Sequence, residues 1–561
     1  MEKKNKLIIL GIIILLLVAS GLTFAILTWN STMIKLGINT NCFTINYAKG
    51  NNISGSLKLI NEEDLISNGK FTIKEGVGVS SVNIGINSNC SIEGYGNIIL
   101  NITNISSAFT TGSSKGALKY AVLKNTSTIT DPTQINATSL LNQSFDIEKK
   151  GSITTSDTLK LLTKQLSNAE LYKYIIVIYV DNNLAGNDVT SATFQGNISA
   201  DAVQGKLDLA KETLNHLNSL NSTITLASGT PDFTTVSGNS GVKYVNGSQS
   251  ATGVGDGTKG IYATQDDLGT SYYFRGAVDN NYVKFANFYW RIIRINGDGS
   301  IRMIYAGTSA HANGESETDS YISKTAYNSS YNDNTYVGYM TGTARVSDYA
   351  STHSNTANST IKGVIDTWYK TNIVDKGYST YVADAIYCND RSIANDDATN
   401  ATLTKANSSY VNTGFGYATN VTAYGEFKRN WVNHVPSLVC PNDNDKFTID
   451  STLGNGKLTY PVALITSDEI VYAGGYAYDY NTSSYIANTE FYLHTPSYWY
   501  WTLTPWAFTG GFSSVGYWDL GGRLGWRGVN ATFNAARPAL SLNSNAITGG
   551  SGTMSDPFTV G

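Results

Sequence analysis

The sequence predicts a β-rich multidomain protein: an N-terminal transmembrane helix, a β-sandwich, and an α+β C-terminal domain. Three observations carry this. Residues 7–29 hold no charge and are almost wholly apolar. Residues 30–202 are filled with β-branched and aromatic runs bounded by Gly, Asn and Asp. From Ile261 onward, hairpin signals alternate with helical spacing. At 561 residues the chain is also too long for one ordinary core.

Lys3, Lys4 and Lys6 precede the run LIILGIIILLLVASGLTFAILTW. It exceeds the roughly 7–15 residues of a cleaved signal core and reaches the ~20 needed to cross a bilayer. The leading lysines keep the N-terminus cytoplasmic and place everything after Trp29 outside, a single-pass topology for segment 1–29. Cleavage after Ala25 is the alternative and gives a secreted chain; the length of the run favours a retained anchor.

In the first folded region, GNIILNITNI (96–105), LKYAVLK (118–124) and KYIIVIYVD (173–181) read as strands, with one helical stretch expected near 156–168. Strands separated by polar turns suggest a sandwich over 30–202. Residues 203–260 read as a helix followed by a linker. Leu207, Ala210, Leu214 and Leu217 form one helical stripe. Two heptads are too few for a coiled-coil stalk, which favours a helix docked on its own domain. The Ser-, Thr- and Gly-rich stretch 221–260 is the linker.

Residues 261–561 form the last domain. YYFRGAVDNNYVKFANFYWRIIRINGDGSIRMIYAG (272–307) reads as hairpins broken at NN and NGDG. Ile361, Val364, Ile365 and Trp368 have helical spacing behind a Ser359/Thr360 cap. Ser467 is expected to cap a second short helix.

Four cysteines, Cys42, Cys90, Cys388 and Cys440, form no CxxC, which argues against zinc. In an oxidising exterior they suit one disulfide per domain, Cys42–Cys90 and Cys388–Cys440; buried free thiols are the other reading. The net charge of −4 includes no basic stripe, so a nucleic-acid partner is not expected.

Near the C-terminus, five of the nine tryptophans fall between Trp499 and Trp526, and no Lys or Glu follows Glu490. Rigid aromatics with Arg, Ser, Gly and Asn, and without Lys or Glu, have the composition of a recognition surface. An aromatic core is the competing reading.

YYFRGAVDNNYV, NFYWRIIRINGDGSIR, DTWYKTNI, CNDRSI, LTYPVALITSDE, WTLTP and ARPALSL occur in an order that resembles the formylglycine-generating-enzyme-like branch of the C-type lectin fold. That branch includes variable proteins of diversity-generating retroelements and surface proteins of low-GC Gram-positive bacteria. The terminal GSGTMSDPFTV is similar to the closing strand of such proteins. Upstream, YKYIIVIYVDNNLAGNDVTSATFQGNISADAVQ resembles the camelysin and biofilm-fibre class, which implies a jelly-roll-like sandwich.

The first resemblance implies that Trp501, Leu503, Pro505, Arg537, Pro538, Ala539 and Leu540 are scaffold. It places Trp506, Phe508, Phe512, Ser513, Tyr517, Trp518, Asp519, Arg523, Leu524, Trp526, Arg527, Asn530, Thr532 and Asn534 against a ligand, at positions that can vary between relatives. From the residues themselves, Trp501 is expected in the core and Arg537 on the closing strand. Tyr517, Trp518, Leu524 and Trp526, flanked by Gly and polar residues, are expected at the surface.

The metal-dependent sugar triplets of C-type lectins are absent from the sequence, and NDNDKFTID (442–450) lacks the Gly and Glu of an EF-hand. The reactive cysteine pair of formylglycine-generating enzymes has no counterpart. The five histidines are scattered with no HExxH, and only Asp519 and Asp556 remain as carboxylates after Glu490. The expected function is therefore metal-independent, cofactor-free, non-enzymatic ligand binding at a bacterial cell surface, as an adhesin-like variable protein. Its partner is a protein or glycan on another cell, a phage or a host. Two alternatives stand beside it: a fixed-specificity carbohydrate or cell-wall binder, and a structural surface or fibre component.

Overall fold

The computed structural model describes residues 42–47, 57–88, 90, 92–129, 131–167, 170–204, 207–229, 231, 233, 243–245, 259–346, 348–394, 422–477, 485–489, 491–509 and 511–561. The expected membrane segment, residues 7–29, lies outside them. Among the described residues no helix is long and apolar enough to cross a membrane. The chain is β-rich, with several sheets, and divides into two units, Met1–Leu207 and Asp208–Gly561.

The first unit is built from β1 (Phe43–Tyr47), β2 (Gly78–Ile86), β3 (Gly94–Ile105), β4 (Leu118–Lys124), β5 (Ser144–Ser152), β6 (Leu159–Leu166), β7 (Leu171–Asp181) and β8 (Phe194–Gln204). The larger sheet orders its main strands β1-β2-β7-β4-β5, and a second sheet is ordered β8-β3-β6. Strand β7 is central, and residues 174–180 form an unbroken apolar and aromatic run because both of its faces are covered. Tyr174, Ile176, Ile178 and Val180 enter the core shared with Ile98, Leu100, Leu161 and Ile198 of the second sheet. Ile175, Val177 and Tyr179 enter a separate core with Phe71, Ile135 and Leu140.

The helix expected near 156–168 is instead strand β6, paired with β3. Leu159, Leu162 and Leu166 have helical spacing because a bulge interrupts the two-residue period. Ile98 opposes Leu162 and Ile99 opposes Lys160, leaving Leu161 as the extra residue.

The second unit begins with α1 (Leu209–Leu220), capped by the Asp208 carboxylate on the Lys211 amide. Ala210, Leu214 and Leu217 join the large core of this unit, so the helix expected in the 203–260 segment is part of the C-terminal body. Next come β9 (Gly260–Asp266), β10 (Gly269–Arg275), β11 (Tyr282–Phe285), β12 (Phe288–Ile295) and β13 (Ile301–Gly307). The NGDG turn joins β12 to β13. A second turn, not anticipated, sits at Ala286–Asn287, both at positive φ (54° and 66°).

Helix α2 (Thr360–Tyr369) is capped by Ser359, whose Oγ accepts from the Lys362 amide; Ile361 and Ile365 are buried. Helix α3 (Ser467–Ala473) starts one residue earlier than expected in its cap: Thr466 is the N-cap, in a reciprocal capping box with Glu469. The remaining strands are β14 (Tyr500–Thr509), β15 (Phe512–Trp518), β16 (Leu524–Gly528), β17 (Ala539–Leu542), β18 (Ile547–Gly549) and β19 (Phe558–Val560).

A ten-stranded sheet carries β17-β13-β12-β11-β19-β18 in that order, and the closing strand β19 pairs in parallel with β11. A six-stranded sheet places β14, β15 and β16 side by side, with β16 at the end of the order. Trp501, Leu503, Arg537, Ala539 and Leu540, expected as scaffold, are all buried. Arg537 donates through Nε and Nη2 to the Tyr305 carbonyl, which fixes the approach to β17. Both disulfides, Cys42–Cys90 and Cys388–Cys440, are formed.

Candidate ligand-binding face

Strands β15 and β16 form a ribbon at the edge of the six-stranded sheet, and its geometry follows from Gly and Pro. Pro505 lies where the β14–β15 register shifts twice, between Trp501 and Ala507; a residue without an amide proton is tolerated at such a break. The β15–β16 turn is closed by Asp519, whose carboxylate accepts from both the amide and Nε of Arg523. Gly522 occupies φ +77°, and a Cβ there would lie 2.5 Å from the Asn488 carbonyl.

The register sets Gly516 opposite Trp526 and Val515 opposite Arg527. Neighbours along a strand alternate in direction, so Trp526 and Arg527 project to opposite faces of the ribbon. The Trp526 indole stacks on Trp506 with centroids 4.5 Å apart and planes 9° apart. Trp506 is 2% exposed and Trp526 44%. On the other face, the Arg527 guanidinium lies 4.9–5.1 Å from the ring centroids of Trp499, Tyr517 and Phe533. Phe512 stacks on Tyr331 at 4.9 Å and is 47% exposed.

Seven of the fourteen expected contact residues are corrected by burial. Trp506, Phe508, Ser513, Trp518, Asp519, Leu524 and Asn534 are all buried. Ser513 is held from both sides: its amide donates to Tyr331 O and its hydroxyl to Asp333 O. Trp518 packs on Phe491 and donates through Nε1 to His494 Nδ1 at 3.3 Å. Leu524 forms a bridge with Ala477, and Asp519 serves its own turn. Phe508 and Asn534 sit in the interior, Phe508 opposite both Ser513 and Thr422. Flanking Gly marked where the chain turns and approaches closely, not which side chains face water.

The other seven reach the surface: Phe512, Trp526, Asn530 and Thr532 are exposed, and Tyr517, Arg523 and Arg527 are half-buried. Sequence reasoning missed Phe533, which is 42% exposed, its half-buried partner Trp499, and Tyr331, the half-buried ring under Phe512. Phe533 was legible in principle, since it lies between Thr532 and Asn534.

Behind the Trp506–Trp526 stack lies a group of buried polar atoms. Phe427 and Trp431 pack against Trp506 at 5.7 and 5.8 Å. Glu426 and Asn430 belong to the same helical turn, and the buried Glu426 carboxyl is met by Asn430 and Ser467. Trp506 Nε1 and Ser514 Oγ are buried without a partner. Burial, reinforced by Asp468, raises the Glu426 carboxyl to about 8, with Arg429, Asn430 and Ser467 acting the other way.

Two further clusters could hold ions. His311 Nε2 lies 2.5 Å from Asp319 Oδ1 and 3.6 Å from Glu317 Oε2. Asp319 also accepts from Thr308 and Ser309, and Arg291 and Arg537 line the same pocket. With two guanidiniums beside it and a His–Asp hydrogen bond already made, this group is arranged as an ion-paired cluster. The second is a network of Asp266, Arg294, Arg302, Glu469, Arg429 and Asp468 that lines one cleft. Its carboxylates are satisfied by guanidiniums and main-chain amides. That network is saturated and serves the fold.

No family model, curated protein or solved structure matches this chain.

Proposed function

We propose that this chain is a ligand-binding protein displayed at a bacterial cell surface, and that its C-terminal unit meets the ligand with the β15–β16 ribbon. One observation carries the reading: Phe512, Trp526 and Phe533 are exposed large apolar side chains on one ribbon and the loop after it, Phe533 beside Arg527 on one face and Trp526 on the other. Exposed aromatics with Arg are the residues that dominate binding hot spots, and here strand pairing fixes beforehand the backbone that presents them. The apolar, uncharged segment 7–29 supports display from a membrane.

The resemblance to lectin-fold variable proteins supports a face whose residues differ between relatives. Burial narrows the positions open to such change to Phe512, Tyr517, Arg523, Trp526, Arg527, Asn530, Thr532 and Phe533. Sequencing the locus in sister isolates tests this. Substitutions concentrated at those eight positions, beside an adenine-biased near-copy and a reverse transcriptase, support diversification; an invariant ribbon overturns it. Binding itself is tested by Phe512→Ala, Arg527→Ala and Phe533→Ala, each expected to weaken attachment to target cells or phage without loss of secretion. The fixed carbohydrate-binder reading is favoured by the Trp506–Trp526 stack and its polar surroundings.

A further inference from the structure

We infer that the Trp506–Trp526 stack is a closed saccharide subsite, in which a pyranose ring takes the place of the Trp526 indole on the face of Trp506. The inference rests on the ribbon being a ligand-binding face, and it specifies the chemistry of one end of that face.

Both halves of a sugar site are present. A pyranose offers an apolar C–H face and a rim of hydroxyls. Trp506 offers a flat aromatic surface held from behind by Phe427 and Trp431, and already occupied by a parallel ring at 4.5 Å. Around it, Trp506 Nε1 and Ser514 Oγ are buried with no hydrogen-bond partner, and the buried Glu426 carboxyl on the neighbouring helical turn is met by Asn430 and Ser467. Native interiors rarely leave such groups unpaired, because each costs about 1–3 kcal/mol. Two of them beside one aromatic platform, an indole N–H and a hydroxyl, supply a donor and an acceptor for sugar hydroxyls, where an apolar peptide side chain would leave them unpaired.

Trp526 is the movable element. It lies on the ribbon's outer strand and is 44% exposed. Opposite it stands Gly516, which has no side chain to hold the indole. Gly516 must be Gly for another reason also: a Cβ there would lie 2.5 Å from Ser467 Oγ and 2.7 Å from Thr502 Oγ1. The close approach brings β15 onto the first turn of α3, and Ser467 in turn neighbours Glu426. Rotation of one side chain therefore uncovers the Trp506 platform. Burial, with Asp468 beside it and against the pull of Arg429, raises the Glu426 carboxyl to about 8, so that at neutral pH it is able to donate as well as accept.

The test is calorimetric titration of the purified full-length chain in detergent with cellotriose, chitotriose, maltotriose and mannotriose, alongside tryptophan fluorescence. One of the series is expected to bind wild type. Trp506→Ala should weaken that binding at least about tenfold, and Trp506→Phe, which keeps a platform, guards against loss of folding. Trp526→Ala should tighten it about two- to tenfold, because the competing ring is gone. Glu426→Gln should bind within about twofold of wild type and Glu426→Leu about tenfold more weakly. If Trp526→Ala weakens binding as Trp506→Ala does, the sugar stacks on the outside of the pair and the inference is wrong. If no saccharide binds either wild type or Trp526→Ala, it is also wrong. The binding-face reading still stands in both cases if attachment to cells or phage depends on Phe512, Arg527 and Phe533, which lie off the stack.

Discussion

Arg294 Nε donates to Glu469 Oε1 at 3.0 Å, and neither side chain is more than 8% exposed. Arg302 shares the same oxygen at 2.6 Å. Glu469 therefore ties α3, through its capping box, to β12 and β13 in the ten-stranded sheet. Breaking a buried pair leaves an uncompensated charge, so Glu469→Gln should destabilise the C-terminal unit by about 3–5 kcal/mol in urea melts. The pH dependence follows. Burial works to raise this carboxyl, Arg302 and Arg294 outweigh it, and it ends below its ordinary 4.5. A lowered folded value gives stability that is complete above the unfolded value and is lost as pH falls through the folded one. Between pH 7 and pH 3, wild type should therefore lose more stability than Glu469→Gln.

The opposite sign holds at His311. Burial lowers its pKa, but Glu317 and Asp319 outweigh that, and the imidazole ends above 6.5. Burial works to raise the Asp319 carboxyl, but hydrogen bonds from Thr308 and from His311 outweigh it, and it falls to about 2. The His contribution is complete below pH 6.5 and is lost as pH rises through the raised folded value. Thermal melts at pH 6 and pH 9 should show a larger decrease for wild type than for Asp319→Asn. An equal decrease would place the pH effect elsewhere.

Cys388 and Cys440 close a loop with a sequence separation of 52. Chain-entropy reasoning assigns about 4 kcal/mol to a cross-link of that length. The double variant Cys388→Ser with Cys440→Ser should lower the urea midpoint of the C-terminal unit accordingly and leave the midpoint of the first unit unchanged.

Glycine effects should separate by position. Gly363 lies in α2 with nothing within 4 Å of an added Cβ, so Gly363→Ala should stabilise by about 0.5–1 kcal/mol. Gly516→Ala meets Ser467 and Thr502 and should destabilise by about 1–3 kcal/mol.

What could be read from the sequence was whatever local chemistry dictates. Strand β4 matches the expected 118–124, Ser359 caps α2, and both disulfides pair within their own units. Trp501 in the core was also legible, and there its Nε1 reaches Thr325 O at 2.8 Å. Strand β6 was not, because a single bulged residue gave its leucines a helical period. The contact face was half legible for a related reason. Composition located the ribbon, but whether Trp518 or Trp526 faces water depends on what covers each side of it. Phe491 and His494 cover Trp518, while Trp526 stacks on Trp506 and stays 44% exposed.

Phe512 and Trp518 stand at the two ends of β15 and make the sharpest test of that division. Phe512 is 47% exposed, and its ring rests on Tyr331 alone. Removing it forfeits about 0.5–1.5 kcal/mol of stacking, so Phe512→Ala should secrete and melt nearly as wild type. Trp518 is wholly buried among Phe491, His494 and the Gly475 backbone. Trp518→Ala opens a cavity that neighbouring strands can only partly close, and should cost about 3–5 kcal/mol. If the ribbon is a recognition surface, Phe512→Ala must reduce attachment to target cells despite its small effect on stability. A Phe512→Ala protein that binds undiminished, or one that unfolds as Trp518→Ala does, would return the whole aromatic segment to a purely structural role.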